Sequence, residues 1–263
     1  MKYYHYTSLD TFKKMLEKSI EVDKYGDVNL VLHATHSKFV NDPTETKLFK
    51  DALLRGVTQY AKIKGTTLSE KDIQKFNRYY SLEGVFIISL SSLEDNLVMW
   101  RAYGNNGEGV CLEFDFDLDP PFNKNRIMYN CVRPEHCKYV NPDTFAIDPE
   151  IIENTYEIIR GEQDVIQAAG EMAKGYRYGC IHKHSDYISE DEYRIVLTDE
   201  SRMELKEQTL IPYRKYHIPI QTLKRVIIGP RLNYEYIENL FTIVMRAKNL
   251  TDIKICPSKV QYR

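Results

Sequence analysis

The sequence predicts an α+β fold, with helices flanking one mixed, mostly antiparallel sheet, in a single domain over residues 1–263. Three observations predict it. Strand-like and helix-like segments follow one another too irregularly for the βαβ alternation of a doubly wound fold. The strand candidates are short and rich in β-branched and aromatic residues, as at Gly84–Ser89. No linker, low-complexity tract or internal repeat divides the 263 residues, which can bury a sizeable core without disulfides or metals.

In order along the chain, Tyr3–Tyr6 reads as a strand and a helix begins near Ser8. Thr7 and Asp10 have capping-box spacing, and Phe12, Met15, Leu16 and Ile20 recur on one helical face. Val28–Thr35 reads as a strand. Asp42, Pro43 and Glu45 are placed as N-cap, first turn and return contact of a second helix. Ser69 and Asp72 open a third. After the Gly84–Ser89 strand, a short helix over Glu94–Tyr103 runs into a glycine-rich turn, and Val110–Phe116 alternates as a strand. A loop follows over Asp117–Asn125, then two short strands within 126–140. Asp148–Tyr178 is helical, with Gly161 a weak point. Tyr193–Leu197, Glu204–Ile211 and Arg225–Ile228 read as strands. A helix over Asn233–Lys248 and a strand at Ile253–Ile255 complete the chain.

Composition narrows the function classes. Thirty-six Lys plus Arg stand against 38 Asp plus Glu. That balance disfavours a protein held to duplex nucleic acid mainly by phosphate contacts. No apolar run of spanning length exists and the N-terminus lacks a signal-peptide core, so no membrane role is expected. The five cysteines are odd in number and unevenly spaced, which points to reduced thiols and a cytoplasmic location. Tyrosine is in surplus, 20 against one Trp and 10 Phe. Such amphipathic rings suit wet pockets and half-buried strands. Phosphate-loop and H-E-x-x-H motifs are absent. Gly104, Gly107 and Gly109 precede a strand rather than follow one, so they read as a tight turn. Cys131, His136, Cys137, Cys180, His182 and His184 have no C-x-x-C anchor, so no metal is expected.

Chemistry-bearing residues gather at three strand ends. The first is Tyr4-His5-Tyr6-Thr7-Ser8. The second is Ser89-Leu90-Ser91-Ser92 with Met99-Trp100-Arg101-Ala102-Tyr103. The third is Ser189-Glu190-Asp191-Glu192-Tyr193-Arg194. Each has a plain structural alternative. His5 needs only a backbone acceptor, Ser92 and Asp95 have capping-box spacing, and Trp100 and Tyr103 share a helical face suited to packing. Ser189 and Glu192 also have that spacing, yet Tyr193 onward continues as a strand, leaving Glu192 with no helix to cap.

These strings resemble a bacterial and phage family known as domain of unknown function 2971. The residues that carry the resemblance begin with Tyr4–Ser8, Phe39-Val40-Asn41-Asp42-Pro43-x-Glu45 and Ser89-Leu90-Ser91. Met99-Trp100-x-x-Tyr103 and Gly109–Phe114 follow, then Lys183, Glu190-x-Glu192-x-Arg194 and Ile227-Ile228-Gly229-Pro230. Tyr187 stands where members more often carry tryptophan. A second, distant resemblance is to ADP-ribosyltransferases, in the order His, then Ser or Tyr, then Glu, and in the opening Tyr4-His5-Tyr6-Thr7. It implies a split sheet that cradles NAD as substrate.

Under that resemblance Glu192 stabilises the positive charge that builds on ribose as nicotinamide leaves. Glu190, on the same side of the strand, orients the acceptor as a general base. His5 donates to ribose hydroxyls, Tyr103 or Tyr6 stacks on nicotinamide, and Ser89 or Ser91 fixes its ribose. Arg101 or Arg194 meets the pyrophosphate, and Thr7 completes the cofactor-binding set. The activity implied is an NAD-dependent ADP-ribosyltransferase or NAD glycohydrolase, a toxin or phage-defence effector. Its acceptor would be protein or nucleic acid, and a cognate regulator or antitoxin would be its partner. Two other classes stay open: a non-catalytic nucleotide- or partner-binding module, and a metal-dependent nuclease using Asp42, Glu45, Glu190 and Glu192. The transferase reading requires His5 and Glu192 to share one cleft.

Overall fold

In the computed structural model, the described residues are all but 25, 41–44, 81–83, 118–132, 162–164, 199–202, 208 and 263. The chain begins with β1 (Lys2–Ser8), whose alternation sends Tyr3 to one face of the sheet and Tyr4 and Tyr6 to the other. Next is α1 (Leu9–Lys18), capped by Ser8, which accepts from the Thr11 amide; the cap lies one residue beyond the expected Thr7. Ile20 is not helical. It starts the short β2 (Ile20–Val22), which pairs with β3 (Val28–His36).

Then come α2 (Glu45–Ile63) and α3 (Glu70–Tyr79); Ser69 and Asp72 make both bonds of the predicted capping box. The proposed opening of α2 at Asp42 and Pro43 lies outside the described residues. β4 (Val85–Ser91), α4 (Leu97–Ala102) and β5 (Gly109–Asp115) follow. α4 is shorter than expected because Asn96, not Ser92, caps it, accepting from the amides of Val98 and Met99. The chain continues through β6 (Glu135–His136) and β7 (Lys138–Val140). The predicted long helix is two, α5 (Pro149–Arg160) and α6 (Val165–Cys180). Gly161 ends α5 at φ 78°, a left-handed conformation that glycine adopts at least cost.

β8 (His182–His184), β9 (Glu192–Thr198) and β10 (Glu204–Leu205) come next. The strand expected over Glu204–Ile211 is only two residues long. The long strand beyond it, β11 (Pro212–Pro219), is not predicted from the sequence. β12 (Leu223–Ile228), α7 (Tyr234–Ala247) and β13 (Lys254–Pro257) complete the chain.

Among the described residues the main sheet has eleven strands, with the path β10-β11-β3-β4-β1-β5-β12-β13. Every pairing in it is antiparallel except β12 with β13. On one face α1 and α7 pack Phe12, Leu16, Phe241 and Met245 against Val110, Leu112, Phe114 and Ile228. On the other, α4 brings Met99 and Trp100 to Tyr4, Tyr6 and Cys111. The helices α2, α3 and α5 close a separate apolar cluster around Phe49, Phe76 and Tyr156.

The feature that positions the site is a fork. One edge of β4 is fully paired with β9, from Val85–Thr198 to Ser91–Glu192. Two strands share its opposite edge. β3 pairs only at Ile87 and Phe86, through Thr35 and His36, and β1 pairs only at Ser91, through Tyr4. Continued in register, both would arrive opposite Ser89. They cannot both occupy that place, so they part there and open a gap in the sheet.

Candidate active site

At the fork lies a cavity of about 240 Å³, walled by His5, Ser89, Tyr103, Lys183, Tyr187 and Glu192, among others. His5 alternates away from Tyr4 and Tyr6, but β1 has left β4 by that point. The ring therefore turns into the gap, and Nδ1–H donates to the Ser89 carbonyl at 3.0 Å. A carbonyl can only accept, so Nδ1 carries the proton and the neutral ring keeps Nε2 as an acceptor. Burial lowers the imidazole pKa from its usual value, against the opposing effect of the Ser89 bond, and so favours that neutral form.

Opposite His5 is a buried ionic cluster. Lys183 Nζ lies 2.6 Å from Glu190 Oε2 and 2.8 Å from Glu192 Oε2. It also sits 4.5 Å from the centroid of the Tyr187 ring, which forms an aromatic wall there. Arg194 grips Glu192 with two donors, Nε at 2.8 Å and a terminal nitrogen at 2.9 Å, and sends its other terminal nitrogen to the Cys180 carbonyl at 2.6 Å. Burial alone would raise the pKa of Glu192, but Arg194 and Lys183 outweigh it and hold the carboxyl at about 2. Glu192 is thus an anion at any physiological pH. It suits electrostatic stabilisation and is too weak a base to take protons.

Glu190 reaches the cluster by a route the sequence reading does not anticipate. It is not on β9 beside Glu192 but at the end of a 3₁₀ turn, Ser185–Glu190. Asp191, at φ 42°, reverses the chain between them. The Glu190 carboxylate accepts from Tyr103 at 2.7 Å as well as from Lys183. The turn is pinned by Ser91, which donates to the Glu190 carbonyl at 2.6 Å and accepts from the Leu93 amide at 3.1 Å. Tyr139 accepts from the Glu192 amide at 2.7 Å.

Of the sequence-predicted residues, the cavity brings together His5, Tyr6, Ser89, Tyr103, Glu190, Glu192 and Arg194. Three stand elsewhere. Ser91 is fully buried and occupied by the turn. Thr7 is buried opposite Val110 in the pairing of β1 with β5. Arg101 is exposed, with its guanidinium 5.7 Å from the Tyr262 ring. Tyr6 reaches the wall, but its hydroxyl donates to the Leu93 carbonyl at 2.7 Å and accepts from the Asn96 amide at 2.9 Å. Its ring packs edge-on against Trp100, leaving Tyr103 as the freer stacking surface. Arg194 is committed to Glu192, so a pyrophosphate would have to displace that pair.

A family described as a protein of unknown function (DUF2971) matches residues 99–195. Over that stretch this chain is similar to DUF2971. No curated protein and no solved structure matches the chain. The DUF2971 match takes in α4 with Tyr103, Lys183, and the turn and strand that carry Glu190, Glu192 and Arg194, the ionic half of the cavity. His5 and Ser89 lie outside it. The match also spans the thiol and imidazole groups weighed as zinc ligands, of which Cys131 lies outside the described residues. Cys137 and Cys180 are buried, and His182 is bonded to the Tyr178 carbonyl at 2.6 Å. Among the described residues no group of three or more His, Cys, Asp or Glu is placed to hold a metal ion. Nor is any helix long and apolar enough to cross a membrane.

Proposed function

We propose that this chain cleaves the nicotinamide–ribose bond of NAD, transferring ADP-ribose to an acceptor or to water. The observation that carries this reading is the convergence of His5 from β1, Ser89 from β4 and Glu192 from β9 on one cavity where the sheet forks. The fork supports the resemblance to the split sheet of ADP-ribosyltransferases. In the reaction the bond between the nicotinamide nitrogen and C1′ breaks, its electron pair leaving with the ring. The ionised Glu192 stabilises the oxocarbenium-like sugar left behind. An acceptor hydroxyl or water then bonds to C1′, and Glu190 takes its proton. Glu190 must first surrender its bond to Tyr103 or Lys183. His5 Nε2 accepts from a ribose hydroxyl; the ring thus accepts where the sequence reading made it donate.

Size adds a constraint. Pockets for drug-sized ligands run from about 300 to 1,000 Å³. A cavity of about 240 Å³ suits the nicotinamide riboside half. The adenylate half would then lie outside, beyond His33 and Thr35 of β3, which line the cavity. The five cysteines are odd in number and unevenly spaced, which supports action in a reducing compartment such as the cytoplasm. An effector of this kind, toxin or phage-defence, would have a protein or nucleic-acid acceptor and a cognate inhibitor.

The test is release of labelled nicotinamide from NAD, with and without protein, DNA and RNA acceptors. Wild type should release it at a rate roughly 10²–10³-fold above a Glu192→Ala variant. Equal, background rates from both would sink the reading.

One observation favours a second reading, a nucleotide-binding module without turnover. Glu190 and Glu192 are balanced by Lys183 and Arg194, so the cluster is already neutral. NAD would then raise the melting temperature with no nicotinamide released.

A further inference from the structure

We propose that Lys183 is a positioning residue, whose ammonium group holds the carboxylates of Glu190 and Glu192 together at the cavity. This rests on the reading of Glu192 as the carboxylate beside the reacting sugar, and adds the residue that keeps it in place. Lys183 belongs to the matching motifs, and the resemblance assigns it no role.

The geometry is specific. Lys183 sits in the middle of the three-residue β8, 3% exposed, with Nζ within hydrogen-bond distance of both carboxylates. The groups facing the pair come from every element around it. Arg194 on β9 bonds to Glu192, and Tyr103, the C-cap of α4, donates to Glu190. Tyr139 on β7 accepts from the Glu192 amide, and His5 on β1 stands across the cavity. Among the described residues, the cation hydrogen-bonded to Glu190 is Lys183. Without it two buried anions would share one small space with a single guanidinium on one of them. One proton would then bind to the pair, as happens when like charges are forced together. A carboxylate neutralised in this way can no longer stabilise a sugar cation.

The experiment compares Lys183→Met, Lys183→Arg and the double variant Lys183→Met/Glu190→Gln in the full chain. Melting temperature is followed between pH 8 and pH 5.5, and nicotinamide release is followed across the same range. The Met variant should melt roughly 5–10 °C below wild type at pH 8. Its pair would have a folded pKa raised above the unfolded value. The loss is therefore full above that pKa and is relieved as pH falls, so the deficit at pH 5.5 should shrink by half or more. The Arg variant should recover part of the loss, and so should the double variant, which removes the uncompensated anion. In the release assay the acid limb of the Met variant should move up by about one pH unit or more.

A deficit that stays the same at every pH, or a double variant no better than Lys183→Met, would overturn the proposal and make Lys183 mere packing. If the Met variant does not fold at pH 8, the double variant is still expected to fold; its failure would overturn the proposal equally. Melting that behaves as expected while wild type releases no nicotinamide would uphold Lys183 as the positioning cation and refute the NAD reading alone.

Discussion

Tyr103 meets the cavity in two ways, as a ring at its wall and as a hydroxyl bonded to Glu190. Burial and that bond raise the phenol pKa, so the hydroxyl stays protonated and donates. Tyr103→Phe separates the two functions. It should leave NAD affinity within about threefold, since the ring persists, while turnover rises by up to roughly 10-fold, because Glu190 no longer has that bond to surrender. Affinity by calorimetry and turnover by nicotinamide release decide it. A collapse of affinity would show the hydroxyl itself to be the binding group. At this scale much of the site is legible in the sequence, because His5, Tyr103, Glu190, Glu192 and Arg194 fall in compact strings. The role of Lys183 is not, since it lies on a three-residue strand too short for a pattern and acts through contacts with residues seven and nine positions away. Tyr193, in the same string, packs against Tyr3 and His136 on the opposite side of its strand.

Among the elements, α4 is the one whose position the site most depends on, since it carries Met99 and ends at its C-cap Tyr103. Six residues make too short a helix to hold itself, so its place comes from tertiary bonds. Asp95 supplies three of them. It accepts from the Trp100 indole at 2.7 Å, from the Ser258 hydroxyl at 2.6 Å and from the Lys259 amide at 2.6 Å, tying α4 to the C-terminal segment. Asp95→Ala leaves a fully buried indole N–H unpaired and frees that segment. It should cost about 2–4 kcal/mol in denaturant unfolding. The Trp100 indole proton should also exchange faster. A loss under about 0.5 kcal/mol would show α4 to be held by apolar packing alone. The helices are the most legible elements, because caps and spacing mark them, as at Ser69. The missed strand β11 carries Arg214, Lys215 and His217 between two prolines. Its charges hide the alternation, because it is supported by pairing along β3 from Asn29 to Thr35 and not by local pattern.

For the whole molecule, that missed strand matters most. β11 and β3 form one arm of the fork and β1 with β5 the other, so the gap at Ser89 exists only in the assembled sheet. Strand and helix content was readable along the chain, whereas the fork depends on pairings between segments far apart in sequence. It is also where the central claim stands or falls, since it sets His5, Ser89 and Glu192 around one cavity. A crystal structure with a non-hydrolysable carba-analogue of NAD tests this most directly. The nicotinamide ring should lie against Tyr103, the adjoining five-membered ring beside Glu192 and the adenylate half along β3. An analogue bound away from the fork, or no binding at saturating concentration, would contradict it.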